Sequence, residues 1–196
     1  MKKPSEKTLK KFYKILSVIL FACWISFGVT GVYRCAVKQY VYPLYYKEEI
    51  VGYADEFGLE RALVFAVVKV ESGFNAAAVS NKGAVGLMQI TESTGNYIAG
   101  KLGESEHDLT DPDTNVKYGC YYLRYLIEKF GNTDTAIVAY NAGEGNVQTW
   151  LGDVRYSDDG VTLKTVPFNE SMEYYIRIKK SFEKYKKLYY NILDKI

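Results

Sequence analysis

The sequence contains few of the side chains that bind metals or build a nucleophilic triad. It has one histidine, His107, and three cysteines, Cys23, Cys35 and Cys120. A zinc site needs several His, Cys or carboxylate ligands, and a Ser/His or Cys/His system needs a histidine of its own. One histidine supplies neither set, so we expect no metal, no other cofactor and no serine or cysteine nucleophile.

The three cysteines are also too few for a disulfide framework. Cys23 falls inside a long apolar run and Cys35 lies just after it. Cys120 falls in a helical stretch where a small buried residue fits. Free thiols are therefore expected, with an intermolecular bridge through Cys35 as the alternative.

Alternating strand patterns of useful length, internal repeats and low-complexity tracts are missing as well. The 196 residues, of which 48% are hydrophobic, suffice for one core of ordinary size. The sequence thus predicts a mainly α fold. Residues 39–196 carry seventeen Lys and Arg against twenty-two Asp and Glu. A domain with this acidic balance lacks the basic surface that nucleic acid requires, so no nucleic-acid partner is expected.

An uncharged run of nineteen residues spans positions 15–33, close to the ~20 residues that cross a bilayer as a helix. Six lysines precede it, and only Arg34 and Lys38 closely follow it. This bias predicts a single-pass protein of the cell membrane whose N-terminus is cytoplasmic. The expected organisation is a basic cytoplasmic tail at 1–14, a membrane span at 15–33, a short stalk at 34–43 and an extracytoplasmic domain at 44–196.

Two alternatives for the apolar run remain open. Val29-Thr30-Gly31 is a poor cleavage site for a secretory signal peptide, and 20–23 faintly matches a lipoprotein box. Either alternative still exports the domain.

Helix signals divide the exported part into segments. Periodicity, caps and breakers predict helices at 44–57, 60–72, 112–130, 133–141 and 171–196, with a turn-rich loop at 73–86 and a stop at 142–145. An apolar seam follows the last helix through Tyr175, Ile178, Phe182, Tyr185, Tyr189 and Ile192. We expect this helix to pack on its own domain, with a second chain or lipid as the alternative.

Glu71 ends the most apolar of these helices. At helical spacing it follows Val67 and Val68 on an apolar stripe. Burial there disfavours the carboxylate and raises the pKa, which is how a glutamic acid stays protonated near neutral pH as a general acid. The alternative is a glutamate that reaches the surface or pairs with a lysine.

Four short segments accompany Glu71 in a fixed order. They are Glu71-Ser72-Gly73-Phe74-Asn75, Ser80-Asn81-Lys82-Gly83-Ala84-Val85-Gly86-Leu87-Met88-Gln89, Ala139-Tyr140-Asn141-Ala142-Gly143, and Pro167-Phe168-Asn169-Glu170-Ser171 before Tyr174-Tyr175. In this order and spacing they closely resemble the soluble lytic transglycosylase (SLT domain) family over roughly residues 42–189. The resemblance implies a goose-lysozyme-like helical domain, here behind one transmembrane helix.

The resemblance also implies a reaction. It is cleavage of the β-1,4 bond between N-acetylmuramic acid and N-acetylglucosamine in peptidoglycan, with a 1,6-anhydro ring as the product end. Glu71 would be the single general acid and then the base. The expected partners are peptidoglycan strands, the membrane through residues 15–33, and a cell-envelope assembly partner of unknown kind.

The residues that the resemblance places along the sugar cleft are Ser80, Gln89, Tyr140, Asn141, Glu170 and Tyr174. Each has a structural alternative: the amides can fix loops, Tyr140 can be core, and Glu170 can cap the last helix. The sequence departs from the family where Ile90 leads to Thr91-Glu92 without a proline, and where Ser171 stands in place of threonine.

Two other functions remain open. A muramidase of the same fold would hydrolyse the bond with a second carboxylate, for which Glu170, Asp55 and Glu92 are candidates. A membrane-tethered peptidoglycan-binding or scaffold protein would need no acid at all.

Overall fold

The computed structural model describes residues 6–105 and 107–193. The chain divides into two units, Met1–Pro43 and Leu44–Ile196.

The first unit is a long apolar helix, α1, over Glu6–Ala36, followed by a π-helical turn at Val37–Val41. Lys14–Val41 is long and apolar enough to cross a membrane. Its large side chains are exposed, among them Trp24 at 71% and Phe27 at 81%. The helix begins inside the predicted basic tail, whose residues 1–5 lie outside the described residues. It covers the first three residues of the predicted stalk, and the π-helical turn covers the next five.

The second unit is mainly helical. Its elements are α2 (Lys47–Glu56), α3 (Arg61–Glu71), β1 (Ala84–Val85), β2 (Ile90–Thr91), α4 (Glu92–Leu102), α5 (Pro112–Phe130), α6 (Thr133–Ala142), α7 (Glu144–Leu151) and α8 (Asn169–Leu193). The two strands form a small antiparallel hairpin in which Ala84 pairs with Thr91 and Val85 with Ile90.

The predicted helices agree closely with the structure where capping signals are strong. Helix α5 matches its predicted bounds because Asp111 accepts a hydrogen bond from the Thr114 amide at 3.0 Å and Gly131 ends the helix with φ 64°. The predictions for α3 and α6 are confirmed to within one residue at each end. The predicted start of α2 at residue 44 is wrong by three residues, because the backbone at Tyr46 is left-handed, with φ 52°.

The structure adds two helices and corrects one stop. Helix α4 was not predicted, although Thr91 caps it by accepting from the Thr94 amide at 3.3 Å. The predicted stop at 142–145 is wrong in its second half, because Glu144 and Gly145 belong to α7. Gly143 alone, with φ 86°, makes the break between α6 and α7.

The core is built on α3, in which every residue from Ala62 to Val68 is buried. Helix α8 makes the most extensive contact with α3 and also packs on α6. The rings of Phe65 and Tyr185 meet across the α3–α8 interface with centroids 5.5 Å apart. This confirms that α8 packs on its own domain.

The predicted seam of α8 is partly wrong. Its buried residues are Ser171, Tyr174, Ile178, Ser181, Tyr185, Tyr189 and Leu193, whereas Ile192 is exposed. The backbone leaves helical geometry at Tyr189, with φ −127° and ψ 23°, and beyond it Leu193 is buried in place of Ile192. The predicted end of this helix, at 194–196, lies outside the described residues.

Candidate active site

Glu71 is the last residue of α3 and is half-buried, three residues after the fully buried stretch ends at Val68. Its Oε1 accepts a hydrogen bond of 2.7 Å from the phenol oxygen of Tyr174 on α8. Burial raises the pKa of Glu71 to about 7, against opposing contributions from the Tyr174 hydrogen bond and the positive charge of Arg177. The raised pKa of Glu71 that the sequence led us to expect is thus confirmed. The structure adds Tyr174 and Arg177 as the two groups that limit the increase.

The turn after Glu71 is fixed by strained backbone and by packing. Gly73 and Phe74 both have left-handed backbone angles, with φ 60° and 69°. Phe74 tolerates this conformation because its buried ring packs on Phe65 and Tyr45. Ser72 Oγ donates to the Leu87 carbonyl at 2.9 Å. The end of α3 is therefore tied directly to the loop that carries Gln89.

A buried asparagine that the sequence analysis missed organises this loop. Asn115 on α5 is fully buried, and its Oδ1 accepts from the Met88 amide at 2.8 Å. Its Nδ2 donates to the carbonyls of Val85 at 2.9 Å and Leu109 at 2.8 Å. All of its polar atoms are thus committed to backbone groups, as burial requires. Only its position on the apolar face of α5 could have signalled this role.

Gln89 lies in the loop with a left-handed backbone, φ 51°. Its side-chain nitrogen donates to the carbonyls of Gly86 at 2.9 Å and Ala78 at 3.2 Å. The amide therefore fixes the loop, as the structural alternative expected. Because both hydrogens are used, a sugar would have to contact the amide oxygen.

Tyr140 and Asn141 lie at the end of α6. The Tyr140 phenol donates to the Met88 carbonyl at 2.9 Å, and its ring packs against the core cluster around Leu126 and Val147. Asn141 Oδ1 accepts from Ser171 Oγ at 2.7 Å. The amide nitrogen of Asn141 is then the group suited to a sugar oxygen.

Tyr140 and Tyr174 share one electrostatic environment with Glu71. Burial, and next the negative charge of Glu71, raise the pKa of both phenols well above the ordinary value. Both phenols therefore remain neutral hydrogen-bond donors beside the carboxyl group.

Ser80 and Glu170 make their contacts outside the group formed by Glu71, Tyr140 and Tyr174. Ser80 Oγ accepts from the amides of Ala84 at 3.0 Å and Lys82 at 3.3 Å, so it stabilises its own turn. Glu170, in the first turn of α8, is exposed and lies 3.4 Å from Lys82 Nζ. This ion pair joins the turn at 80–83 to the start of α8, and its exposure makes it weak.

The three candidate second carboxylates have other partners. Asp55 forms two hydrogen bonds of 2.6 Å with Arg61, and Glu92 Oε1 lies 3.6 Å from His107 Nε2. Glu170 pairs with Lys82. Within residues 6–105 and 107–193, no second carboxylate contributes to the pKa of Glu71.

Comparison with known proteins identifies the family of this chain. The family model for the transglycosylase SLT domain matches residues 49–161. The soluble lytic murein transglycosylase of Escherichia coli K12 is 34% identical over 139 residues, which are 68% of this chain and 22% of that protein. The membrane-bound lytic murein transglycosylase C of Serratia proteamaculans is 29% identical over 159 residues, covering 68% of this chain and 44% of that protein.

Solved structures that match this chain are also lytic transglycosylases. The lytic transglycosylase Slt of Pseudomonas aeruginosa, solved as an inactive mutant, matches 74% of this chain and 24% of its own with a TM-score of 0.67 and 33% identity. The soluble lytic transglycosylase of Escherichia coli matches 74% of this chain and 25% of its own with a TM-score of 0.66 and 29% identity. The chain thus spans less than half the length of these relatives. The expected lysozyme-like helical fold is confirmed.

The family match ends before α8, which supplies Tyr174 and Glu170. It nevertheless covers more than half of the sequence, including Glu71, Gln89 and Asn141. The chain belongs to the transglycosylase SLT domain family.

Proposed function

We propose that this protein is a membrane-anchored lytic transglycosylase of peptidoglycan in which Glu71 acts first as the general acid and then as the base. The observation that carries the proposal is a single half-buried carboxyl whose pKa is raised to about 7 and whose Oε1 is held by Tyr174. The names of its relatives, which are lytic murein transglycosylases, support the same reaction class.

The proposed reaction proceeds in two proton transfers. Protonated Glu71 gives its proton to the glycosidic oxygen, and the bond from that oxygen to C1 of the muramoyl residue breaks. The resulting carboxylate then takes the proton of the C6 hydroxyl as O6 bonds to C1 and closes the 1,6-anhydro ring. The N-acetyl carbonyl of the substrate supports the positive charge that develops at C1.

The geometry around Glu71 suits both halves of this cycle. Since its pKa lies near 7, the protonated and ionised forms are both accessible at neutral pH, and neither transfer meets a large energetic penalty. The Tyr174 phenol holds Oε1, so Oε2 is the oxygen that exchanges the proton. The same hydrogen bond stabilises the carboxylate after the first transfer.

A hydrolytic muramidase is less well supported. It needs a second carboxylate near Glu71 to position water. Asp55 is instead bonded to Arg61, Glu92 to the side-chain amide of Asn96, and Glu170 to Lys82. A pure binding protein has no use for an acid with a raised pKa. The experiment in the next paragraph distinguishes hydrolysis and binding without cleavage from the proposed reaction.

The test is mass spectrometry of peptidoglycan digested with the purified full chain in detergent. We expect muramoyl ends lighter by one water, and no such ends from Glu71→Gln. Glu128→Gln is the matched control, because Glu128 is exposed and pairs with Arg124 on α5. Reducing ends would instead establish hydrolysis. Digestion by Glu71→Gln at the normal rate would refute the assigned role of Glu71.

A further inference from the structure

The outer face of α8 carries a row of unpaired positive charges. In the described part of the domain, nine lysine or arginine side chains form ion pairs, among them Lys179 and Lys186 of this helix. Lys180, Lys184 and Lys187 are exposed and have no ion-pair partner among the described residues. Their spacing of four and three residues places them on one face of the helix. This row is a local basic surface on a domain whose overall charge balance is acidic.

A groove runs along the second half of this face. Its lining residues are Glu183, Lys184, Lys186, Lys187 and Tyr190, and we call it the α8 groove. Three lysines thus face one glutamate in the lining. The charge balance stays positive even when Glu60, which lies 3.4 Å from Lys186 Nζ, is included. Charge complementarity therefore favours an anion in the α8 groove.

Apolar side chains beside the lysines indicate what kind of anion fits. Tyr190 is 69% exposed, and Ile176, one turn before Lys180, is 52% exposed. A tyrosine ring with its polar tip is suited to the headgroup layer of a bilayer. A lysine can lay its alkyl chain along apolar groups while its ammonium group reaches a phosphate. A lipid surface satisfies both kinds of side chain, whereas a free anion would contact only the lysines.

The same chain supplies a reason for a lipid surface to be available. Lys14–Val41 is long and apolar enough to cross a membrane. When α1 lies in a bilayer, contact between the domain and lipid is intramolecular, so a contact of low intrinsic affinity is sufficient. Basic residues next to a membrane-spanning helix are attracted to anionic headgroups.

We propose that the α8 groove docks the domain on anionic phospholipid headgroups. Lys180, Lys184 and Lys187 contact the phosphate groups, and Tyr190 enters the headgroup layer. The docked face lies on the exposed side of α8, whereas Tyr174, which holds Glu71, lies on its buried side. Docking is thus independent of the proton transfers proposed for Glu71.

The test measures docking of the full chain in lipid nanodiscs. Cys23 and Cys35 are replaced by serine, Cys120 is buried, and a fluorophore is attached at Asn191→Cys, which is exposed next to Tyr190. Lipids with a nitroxide on the headgroup quench the fluorophore when this part of α8 lies on the membrane surface. We expect strong quenching in discs that contain phosphatidylglycerol and weak quenching in phosphatidylcholine alone. High salt should abolish the difference, because it screens the attraction.

Two double variants with the same change in net charge identify the lysines responsible. Lys184→Gln with Lys187→Gln should lower the ratio of docked to undocked domain roughly tenfold to thirtyfold in phosphatidylglycerol discs. Lys101→Gln with Lys164→Gln is the matched control, because both lysines are exposed and neither lines the α8 groove. This control should keep the quenching of the parent chain.

Equal quenching in both kinds of disc, or equal quenching by the two double variants, would overturn the proposal. Binding of soluble polyphosphate in phosphatidylcholine discs, without quenching in phosphatidylglycerol discs, would assign the groove to an anionic polymer and overturn the lipid assignment. Glu71→Gln should dock like its parent, so a failure of docking is distinguishable from a failure of the proposed function.

Discussion

At the scale of single residues, burial of Glu71 raises its pKa, as the proposed general acid requires. The same burial lowers the stability of the fold at high pH, where the carboxyl group is charged. Its pKa is raised from 4.5 to about 7 on folding, so the folded chain prefers the protonated form. This preference stabilises the fold fully below pH 4.5 and is lost as pH rises through about 7. We predict that Glu71→Gln raises the free energy of unfolding by about 1–3 kcal/mol at pH 8 and changes it little at pH 4.5.

Thermal unfolding of both chains across this pH range measures the difference. The difference in unfolding free energy between the Glu71→Gln variant and the wild type should grow from pH 4.5 to 7 and then stay constant. Glu128→Gln, at an exposed ion pair, should show no comparable gap. A gap independent of pH would mean that Glu71 is not protonated preferentially in the folded chain.

Arg177 is the second residue with a predictable electrostatic effect. It follows Tyr174 by one helical turn on α8, and its positive charge lowers the pKa of Glu71. Removing that charge in Arg177→Gln should raise the pKa of Glu71. If Glu71 is the general acid, the alkaline limit of activity should then move to higher pH by about half a pH unit or less.

The pH profile of anhydro-end formation gives the readout. Arg177→Lys keeps the charge and should keep the wild-type profile, whereas a merely structural role would make both variants lose activity without a change in the limit. A downward movement of the alkaline limit in Arg177→Gln would contradict the assigned sign.

A candidate acid can be proposed from one local pattern of the sequence. Glu71 was recognisable because a charge ends an apolar helix, and the resemblance to a family supplied Tyr174, which lies far away along the chain. Asn115 had no such signal, since it bonds to the Leu109 carbonyl just before its helix and to Val85 and Met88, which lie about thirty residues away. Such a role becomes visible only when the tertiary contacts are known.

At the scale of elements, the loop that carries Gln89 depends on a glycine. A Cβ at Gly86 would lie 2.2 Å from Asn115 Nδ2 and 2.8 Å from the Leu109 carbonyl, and φ there is 81°. We predict that Gly86→Ala destabilises the fold by about 2–4 kcal/mol, combining overpacking with left-handed strain. Thermal unfolding of the purified chain measures this loss.

Gly83 provides the matched comparison in the same loop. Its φ is 76°, but a Cβ there would meet nothing within 4 Å. Gly83→Ala should therefore cost only the backbone strain, about 1–2 kcal/mol. Equal losses at both positions would show that Asn115 and Leu109 move aside for the new methyl group.

Predicted and observed helices differ where too many residues were taken as helix-breaking. The run at 142–145 looked like one stop, yet only Gly143 leaves helical geometry and Glu144 starts α7. Helix α4 was hidden because Gly95 and Gly100 interrupt its pattern. Gly95 fits there because a Cβ would lie 3.0 Å from His107 Nε2 and 3.1 Å from a methyl of Leu109. Packing, which the local sequence does not reveal, decides both cases.

At the scale of the whole molecule, the hydrogen-bonded group around Glu71 extends beyond the matched family segment. The match covers 49–161, but the phenol that holds Glu71 comes from Tyr174 beyond it. Helix α8 also covers α3, the most buried helix of the domain. A domain cut after residue 161 would thus lose the cover of α3 and the hydrogen bond to Glu71 together.

The three cysteines make the membrane topology directly measurable. Cys35 is exposed near the end of α1, Cys23 lies within the apolar run, and Cys120 is fully buried in α5, where burial raises the pKa of its thiol. If the N-terminus is cytoplasmic and the domain is exported, a membrane-impermeant maleimide should label only Cys35 in intact spheroplasts. Lipid shields Cys23, and folding shields Cys120.

Matched variants and a thiol count complete this test. Cys35→Ser should abolish labelling, and Cys120→Ala should leave it unchanged. Labelling of Cys35 only after permeabilisation would reverse the topology. Counting thiols in the denatured chain distinguishes the anchor from a cleaved signal peptide. A retained anchor keeps all three thiols, whereas cleavage after Gly31 would remove Cys23 and leave a chain that no longer sediments with membranes.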